Sequence, residues 1–228
     1  LCIEQSGIQH KTMNDLISVS LESVTLPERL EWQPLQGITP HDPFVILFTS
    51  GTTGLPKGVV HRIGAEFGNA KLFNQQLGFN SDRCFYHIWP MAYSTGILNM
   101  LLCPFLAGAS VVLAPSFDAR TVLSFWKPVL QFGADTFWLA PSMVAALLKM
   151  DRDAEGLAYC RKNVKTICVG TAALPLNVQK EFEQKYGIPL LESYGLSELL
   201  LLTANTSDQV RKEKSVGLLL PSIELKVV

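Results

Sequence analysis

Residues 165–198 read KTICVGTAALPLNVQKEFEQKYGIPLLESYGLSE, and the order of patterns inside that stretch decides the fold. Lys165–Val169 is a short apolar run ended by Gly170, which predicts a strand. Pro175 opens an amphipathic helix that runs to Tyr186, Gly187 stops it, and Pro189–Glu192 returns as a second strand. A strand, a helix and a strand in that order predict two parallel strands joined by a crossover helix.

Working outward, the same rhythm recurs. Upstream, Asp135–Leu139 is a strand candidate, and Pro141 opens a helix over Met143–Met150. Ser110–Leu113 is another strand, preceded by Ile97–Leu106, which is apolar on every side as a helix buried against a sheet must be, and which Gly108 ends. Asp118 is a candidate N-cap for the helix that follows. Cys84–Ile88 and Phe44–Phe48 are further strands, the latter followed by a Gly/Thr-rich loop, Val59, Val60 and a helical stretch from about Arg62 to Leu77. The expected fold class is α/β, a largely parallel sheet flanked by helices, with ligands at the carboxyl ends of its strands.

Bulk properties exclude several classes. The chain has 228 residues, 48% hydrophobic and 17% charged, so it can bury a sizeable core and is not a disordered polymer. Nineteen basic against twenty acidic residues leave a net charge of -1, without the single-sign field that attracts nucleic acid or an anionic membrane. The five cysteines are scattered, with no CxxC or Cys/His pair, which fits a reducing compartment and a cytoplasmic protein. No apolar run is long enough to predict a transmembrane segment, and no leader opens the chain. Leu1 is no initiator and Ile223–Val228 looks like a strand in progress, so a fragment is expected.

Three loops carry chemistry. Thr49–Gly58 reads TSGTTGLPKG: Gly51 and Gly54 free backbone N–H groups to close on phosphate, the hydroxyls of Thr49, Ser50, Thr52 and Thr53 donate further bonds, and Lys57 offsets charge. Pro56 and Gly58 break the GxxxxGK[ST] spacing, which excludes the common phosphate loop, and residue types alone also allow a hairpin connector. In VGTAAL, the backbone at Gly170, Thr171 and Ala172 can lie close to a flat ring, although a tight strand-to-helix turn would use the same residues. In ESYGLSE, Tyr194 can stack on a base, Gly195 and Ser197 can approach phosphate, and Glu198 can serve a magnesium ion, which takes one or two carboxylates plus phosphate oxygens. A packed tyrosine and a solvated glutamate are the plainer reading of that turn.

FTSGTTGLPKGVVHR, followed by VGTAAL and YGLSE at this spacing, resembles the adenylate-forming superfamily of acyl-CoA synthetases, beetle luciferases and peptide adenylation domains. The resemblance covers residues 44–228 and implies the large N-terminal domain of such an enzyme, with 1–40 the tail of a preceding subdomain plus linker and 41–228 the nucleotide- and acyl-binding core. It implies ATP and Mg²⁺, a small carboxylic acid, and coenzyme A or a carrier-protein thiol as acceptor. By the motif match, Thr49–Gly54 and Lys57 hold the phosphates, Gly170, Thr171, Ala172, Tyr194 and Gly195 lie around adenine, Ser197 serves the phosphate region, and Glu198 holds the metal. Tyr93, in CFYHIWPMAYSTG, aligns where many relatives carry histidine near the carboxylate and α-phosphate; a tyrosine packed at a helix entry is the alternative. Leu196 tilts the choice toward CoA ligases over peptide adenylation domains, and Ile97, Trp138, Ser142, Leu196 and Leu200 are candidates for the acyl pocket. His61 and His87 are read as structural. The ribose-binding aspartate, hinge and lid of the family are expected beyond Val228, so the 228 residues alone are expected to adenylate poorly. A noncatalytic nucleotide-binding remnant is the competing reading.

Overall fold

Strands β5 (Thr136–Leu139) and β6 (Thr166–Val169) are buried at every position, with none of the in/out alternation of a half-exposed strand. That is what a parallel strand covered on both faces requires. The computed structural model describes residues 36–49 and 56–226, and from Thr39 onward they belong to one compact unit. Its main sheet has seven strands in the order β4 (Ser110–Leu113), β3 (Cys84–His87), β5, β6, β7 (Leu190–Leu196), β8 (Leu200–Ala204), β9 (Leu218–Leu219). Pairing is parallel from β4 through β7 and antiparallel from β7 to β9.

The helices are α1 (Ile63–Leu77), α2 (Cys103–Ala107), α3 (Trp126–Phe132), α4 (Pro141–Met150), α5 (Ala154–Asn163) and α6 (Leu176–Tyr186). Gly108 and Gly187 close α2 and α6 at φ +69° and +70°, a conformation a side chain disfavours. Asp118 accepts bonds from the N–H groups of Arg120 and Thr121 at 2.8 Å, just before a 3₁₀ turn at Thr121–Ser124. Those bonds to its ionised form hold its carboxyl below the usual range.

Four findings depart from the sequence reading. Phe44–Phe48 is not a strand of the parallel sheet; it lies in β1 (Pro43–Thr49), which forms an antiparallel hairpin with β2 (Lys57–Arg62). Phe44, Ile46 and Phe48 are exposed, because that pairing covers β1 only along one edge and α1 only near Phe44, whose ring meets Phe67 edge-on. The apolar stretch after Tyr93 is no single α-helix: Thr95–Leu102 is wound as a π-helix before α2 begins. The sequence pattern does not announce helix α5 or strand β8; α5 is mostly polar and is started by Asp153, which caps the Gly156 N–H at 2.9 Å. Residues 223–226 have no regular structure.

The core is aromatic between α3, α6 and the sheet. Trp126 donates its indole N–H to Asp151 at 3.0 Å, and Tyr186 donates its hydroxyl to the same carboxylate at 2.5 Å. A side chain at Gly156 would begin 2.1 Å from the Trp126 ring, so α5 packs there backbone to ring. Among the described residues no helix is long and apolar enough to cross a membrane.

Candidate functional site

The carboxyl ends of β5, β6 and β7 open on a cavity of about 350 Å³, and residues of all three motif loops reach its wall. Thr49 comes from the end of β1, Tyr93 from the loop after β3, Gly170 and Thr171 from the end of β6, and Gly195, Ser197 and Glu198 from the end of β7. A second cavity of about 590 Å³ lies beside it, lined by Thr171, Ala172, Leu174, Tyr194 and Gly195. Thr171, Ser193, Gly195 and Leu196 face both cavities, so a molecule filling one would touch the wall of the other.

The backbone of this wall is tightly specified. The β7–β8 register slips between Tyr194 and Gly195, and a Cβ on Gly195 would sit 2.3 Å from the Leu200 carbonyl oxygen. Only a bare Cα lets β7 fold back so closely. Thr171 and Leu200 hold φ of +75° and +60°, although neither is glycine. Such outliers cost free energy and concentrate where a site needs a particular backbone shape.

Hydrogen bonds tie the hairpin to the turn. The His61 Nε2–H donates to the Ser197 carbonyl at 2.5 Å, since a carbonyl can only accept, which anchors the residue next to Glu198 on β2. Burial pushes the neighbouring Glu66 carboxyl up, against the pull of His61. His61, read from sequence as structural, therefore holds the motif turn in place. His87 donates from Nε2 to the Gly96 carbonyl at 3.1 Å and accepts the Trp89 N–H at 3.4 Å, which engages both ring nitrogens in the neutral tautomer. Burial lowers its pKa.

Of the residues singled out from sequence, Thr49, Tyr93, Gly170, Thr171, Gly195, Ser197 and Glu198 share the smaller cavity, and Ala172 and Tyr194 line the larger. Lys57 is exposed and does not line either; it is the cross-strand partner of Thr49, whose hydroxyl lies 3.5 Å from the Lys57 carbonyl. Ser50, Gly51, Thr52, Thr53 and Gly54 lie outside the described residues. Tyr93 is stacked on Trp89 at 5.6 Å with nearly parallel rings, is about half exposed, and lines the cavity.

Two of the acyl-pocket candidates lie off the smaller cavity. Ile97 packs against the core and Ser142 is exposed at the start of α4; neither lines the cavity, while Trp138, Leu196 and Leu200 do. In their place stand Thr95, Leu98 and Asn99. Thr95, Leu98 and Asn99 stand at i, i+3 and i+4, one face of the segment, and Ile97 falls off that face. The signal in the sequence is the pair of polar residues, Thr95 and Asn99, one turn apart inside an otherwise apolar run.

Among the described residues no cluster of three or more His, Cys, Asp or Glu side chains could hold a metal alone. Glu198 is exposed at the cavity and makes no ion pair among the described residues. Among the described residues no cysteine lines either cavity; burial pushes Cys103 and Cys168 well up and Cys160 up to about 12, the opposite of an activated thiol.

The geometry can be set beside known proteins. The family model described as AMP-binding enzyme matches residues 4–228. The malonate–CoA ligase of Arabidopsis thaliana is 28% identical over 198 residues, 82% of this chain and 33% of that protein. The mitochondrial malonate–CoA ligase of Bos taurus is 30% identical over 195 residues, 81% of this chain and 33% of its own length. Among solved structures, a malonyl-CoA ligase in a ternary product complex with methylmalonyl-CoA and AMP superposes with a TM-score of 0.72 at 26% identity, covering 82% of this chain and 40% of that one. ATP-bound MatB from Rhodopseudomonas palustris superposes with a TM-score of 0.66 at 26% identity over 77% of this chain and 33% of its own. The chain thus spans about a third of the length of these curated relatives. With strand order, loops and family model in agreement, this chain belongs to the AMP-binding enzyme family.

Proposed function

We propose that this chain carries the nucleotide- and acid-binding core, over residues 41–228, of a cytoplasmic ligase that activates a small carboxylic acid with ATP and passes the acyl group to coenzyme A. The observation that carries it is the pair of cavities sharing one wall, with Thr49, Tyr93, Ser197 and Glu198 on one side and Tyr194 with Ala172 on the other. The larger cavity suits adenine, stacked on the exposed Tyr194 ring and covered by the backbone of Thr171–Ala172. From there the phosphates run past Gly195 and Ser197 toward Thr49, Lys57 and the 50–54 loop.

The acid enters the smaller cavity with its carboxylate beside Tyr93. A carboxylate oxygen attacks the α-phosphorus, the bond to the bridging oxygen breaks, and pyrophosphate leaves, giving the acyl-adenylate. The thiol of coenzyme A then adds to the acyl carbonyl, AMP departs with its oxygen, and the thiol proton goes to solvent. Two anions must be held together first, so the chain's task is electrostatic: Lys57 and oriented N–H groups offset charge, and Tyr93 offers its hydroxyl as a donor. One carboxylate next to a phosphate path fits Mg²⁺, which completes its shell with phosphate oxygens and water and would neutralise the developing charge. Glu198 is the residue that would hold it.

Titration calorimetry tests the reading. Magnesium-dependent ATP binding should weaken at least tenfold in Glu198→Ala, in Lys57→Ala and in Tyr194→Ala, each removing one charge-assisted or stacking contact. Unchanged binding in all three overturns the assignment.

A further inference from the structure

Glu198 stands in the short turn between β7 and β8, exposed and without an ion pair among the described residues, so its place is set through the backbone on either side. Both sides are gripped. At the first foot of the turn, His61 near the end of β2 donates its Nε2–H to the Ser197 carbonyl. At the second, Asn69 in α1 donates from Nδ2 to the Leu201 carbonyl at 2.7 Å and accepts the Leu201 N–H on Oδ1 at 3.1 Å. A side-chain amide can meet both backbone groups of one residue in this way; a carboxylate would set an acceptor against the carbonyl.

The two grips share a foundation. β2 runs into α1 without a break at Arg62 and Ile63. Helix α1 is fixed to the core by Ala70 and Phe73, both fully buried, and its first turn is held by bonds from the Ile63 and Gly64 N–H groups to the Asp42 and Pro40 carbonyls at 3.0 and 2.8 Å. The turn they hold is a costly shape: Leu200 has φ +60°, and the Leu199 N–H closes on the Leu196 carbonyl at 3.1 Å. Such a backbone persists only where its surroundings over-determine it. The strand that brings His61 also carries Lys57 at its start. We propose that His61 and Asn69 are positioning residues for the metal: from one fixed unit they hold both feet of the turn that bears Glu198, so the carboxylate meets the metal at a place set by the strand that supplies Lys57. This rests on the reading above that Glu198 holds Mg²⁺.

Calorimetric affinities of the 228-residue chain for MgATP, and for AMP without magnesium, separate this role from a merely structural one. His61→Phe keeps a ring and removes the donor, and Asn69→Leu removes both of its bonds. Each should weaken MgATP binding about tenfold, the usual loss when a group that orients a metal ligand is removed, and AMP binding by less than about twofold. His61→Gln places an amide N–H at a similar reach and should restore MgATP binding to within about threefold of the unaltered chain. In a Glu198→Ala background His61→Phe should cost nothing further, because residues that act through one group are not additive. Equal losses for the two ligands, MgATP binding unchanged in both single variants, no rescue by glutamine, or a further loss in the Glu198→Ala background overturns the proposal and leaves Glu198 as the metal residue. Failure of Glu198→Ala itself to weaken MgATP binding takes down the metal reading and the proposal together. If neither His61→Phe nor Asn69→Leu melts cooperatively, nuclear magnetic resonance on the unaltered chain decides: the His61 ring-nitrogen and Asn69 amide signals should shift when Mg²⁺ is added to the ATP complex and not when AMP binds, and signals that stay in place overturn the proposal.

Discussion

Two tryptophans on opposite sides of the same core have opposite fates. Trp126 is wrapped by α3, α5 and α6, and its N–H is satisfied by Asp151, which also takes the Tyr186 hydroxyl and the Asp153 N–H. Trp138, on strand β5, lines the cavity, and its buried N–H has no partner among the described residues. The contrast extends to the surroundings. Around Trp126 the buried polar atoms are bonded and the packing admits no added atom; around Trp138 lie two non-glycine residues at positive φ, a bulge, and exposed Tyr93, Tyr194 and Leu196. One region is packed and bonded for its own stability, and the other holds costly backbone shapes along a cavity wall.

The sharpest way to break that comparison is Asp151→Ala. It strips the acceptor from two buried donors at once, and the cost should be about 3 kcal/mol of unfolding free energy in urea titrations, with nucleotide affinity per folded molecule unchanged. A loss under about 1 kcal/mol would mean the cluster is not the anchor described. Next in size is Gly195→Ala on the other side. Its Cβ meets the Leu200 carbonyl, so β7 or β8 must shift, costing about 2 kcal/mol and also weakening MgATP binding at least tenfold. The two variants should therefore separate cleanly, one moving stability alone and the other moving both.

How much of this was legible depends on which force places the residue. β5 and β6 could be read because burial on both faces demands unbroken apolar runs, and α6 because Pro175 and Gly187 bracket it. The motif loops could be read because glycines, hydroxyls and a lysine are rarely grouped without a reason, and the described motif residues other than Lys57 line two adjoining cavities. Asn99 and Thr95 are marked only as two polar residues one turn apart, since in a run that is apolar on every side the face that meets the cavity is set by tertiary packing. The hairpin could not be read: β1 is as apolar as a core strand yet largely exposed, and an apolar run says nothing about its partner. The left-handed backbone of Thr171 runs against the preference of a β-branched residue, so local propensity pointed away from it.

That outlier supplies the third prediction. Thr171→Gly should relieve a strained backbone and raise stability by about 1 kcal/mol, a rise of about 2–4 °C in melting temperature, less whatever the added unfolded-state freedom removes. A fall in melting temperature instead would mean the side chain makes contacts worth more than the strain, and the contrast between the two tryptophan regions would weaken accordingly.

The smallest effect belongs to the satisfied side. Burial alone would raise the Glu183 carboxyl, but the paired Arg211 contacts at 2.6 and 3.1 Å, the Leu190 N–H and Gln179 together hold it below its ordinary value of 4.5. A carboxylate with a depressed folded pKa adds stability that is fully present above its unfolded value and is lost as pH falls through the folded one. Urea midpoints should therefore be flat down to about pH 5 for this group and then decline by roughly 0.5 kcal/mol toward pH 3, a component that Glu183→Gln removes. Because Glu183 also accepts the N–H that starts β7, the glutamine variant should retain that bond and lose only the pH dependence; if it loses stability equally at every pH, the carboxylate works by shape and the charge on Arg211 is incidental.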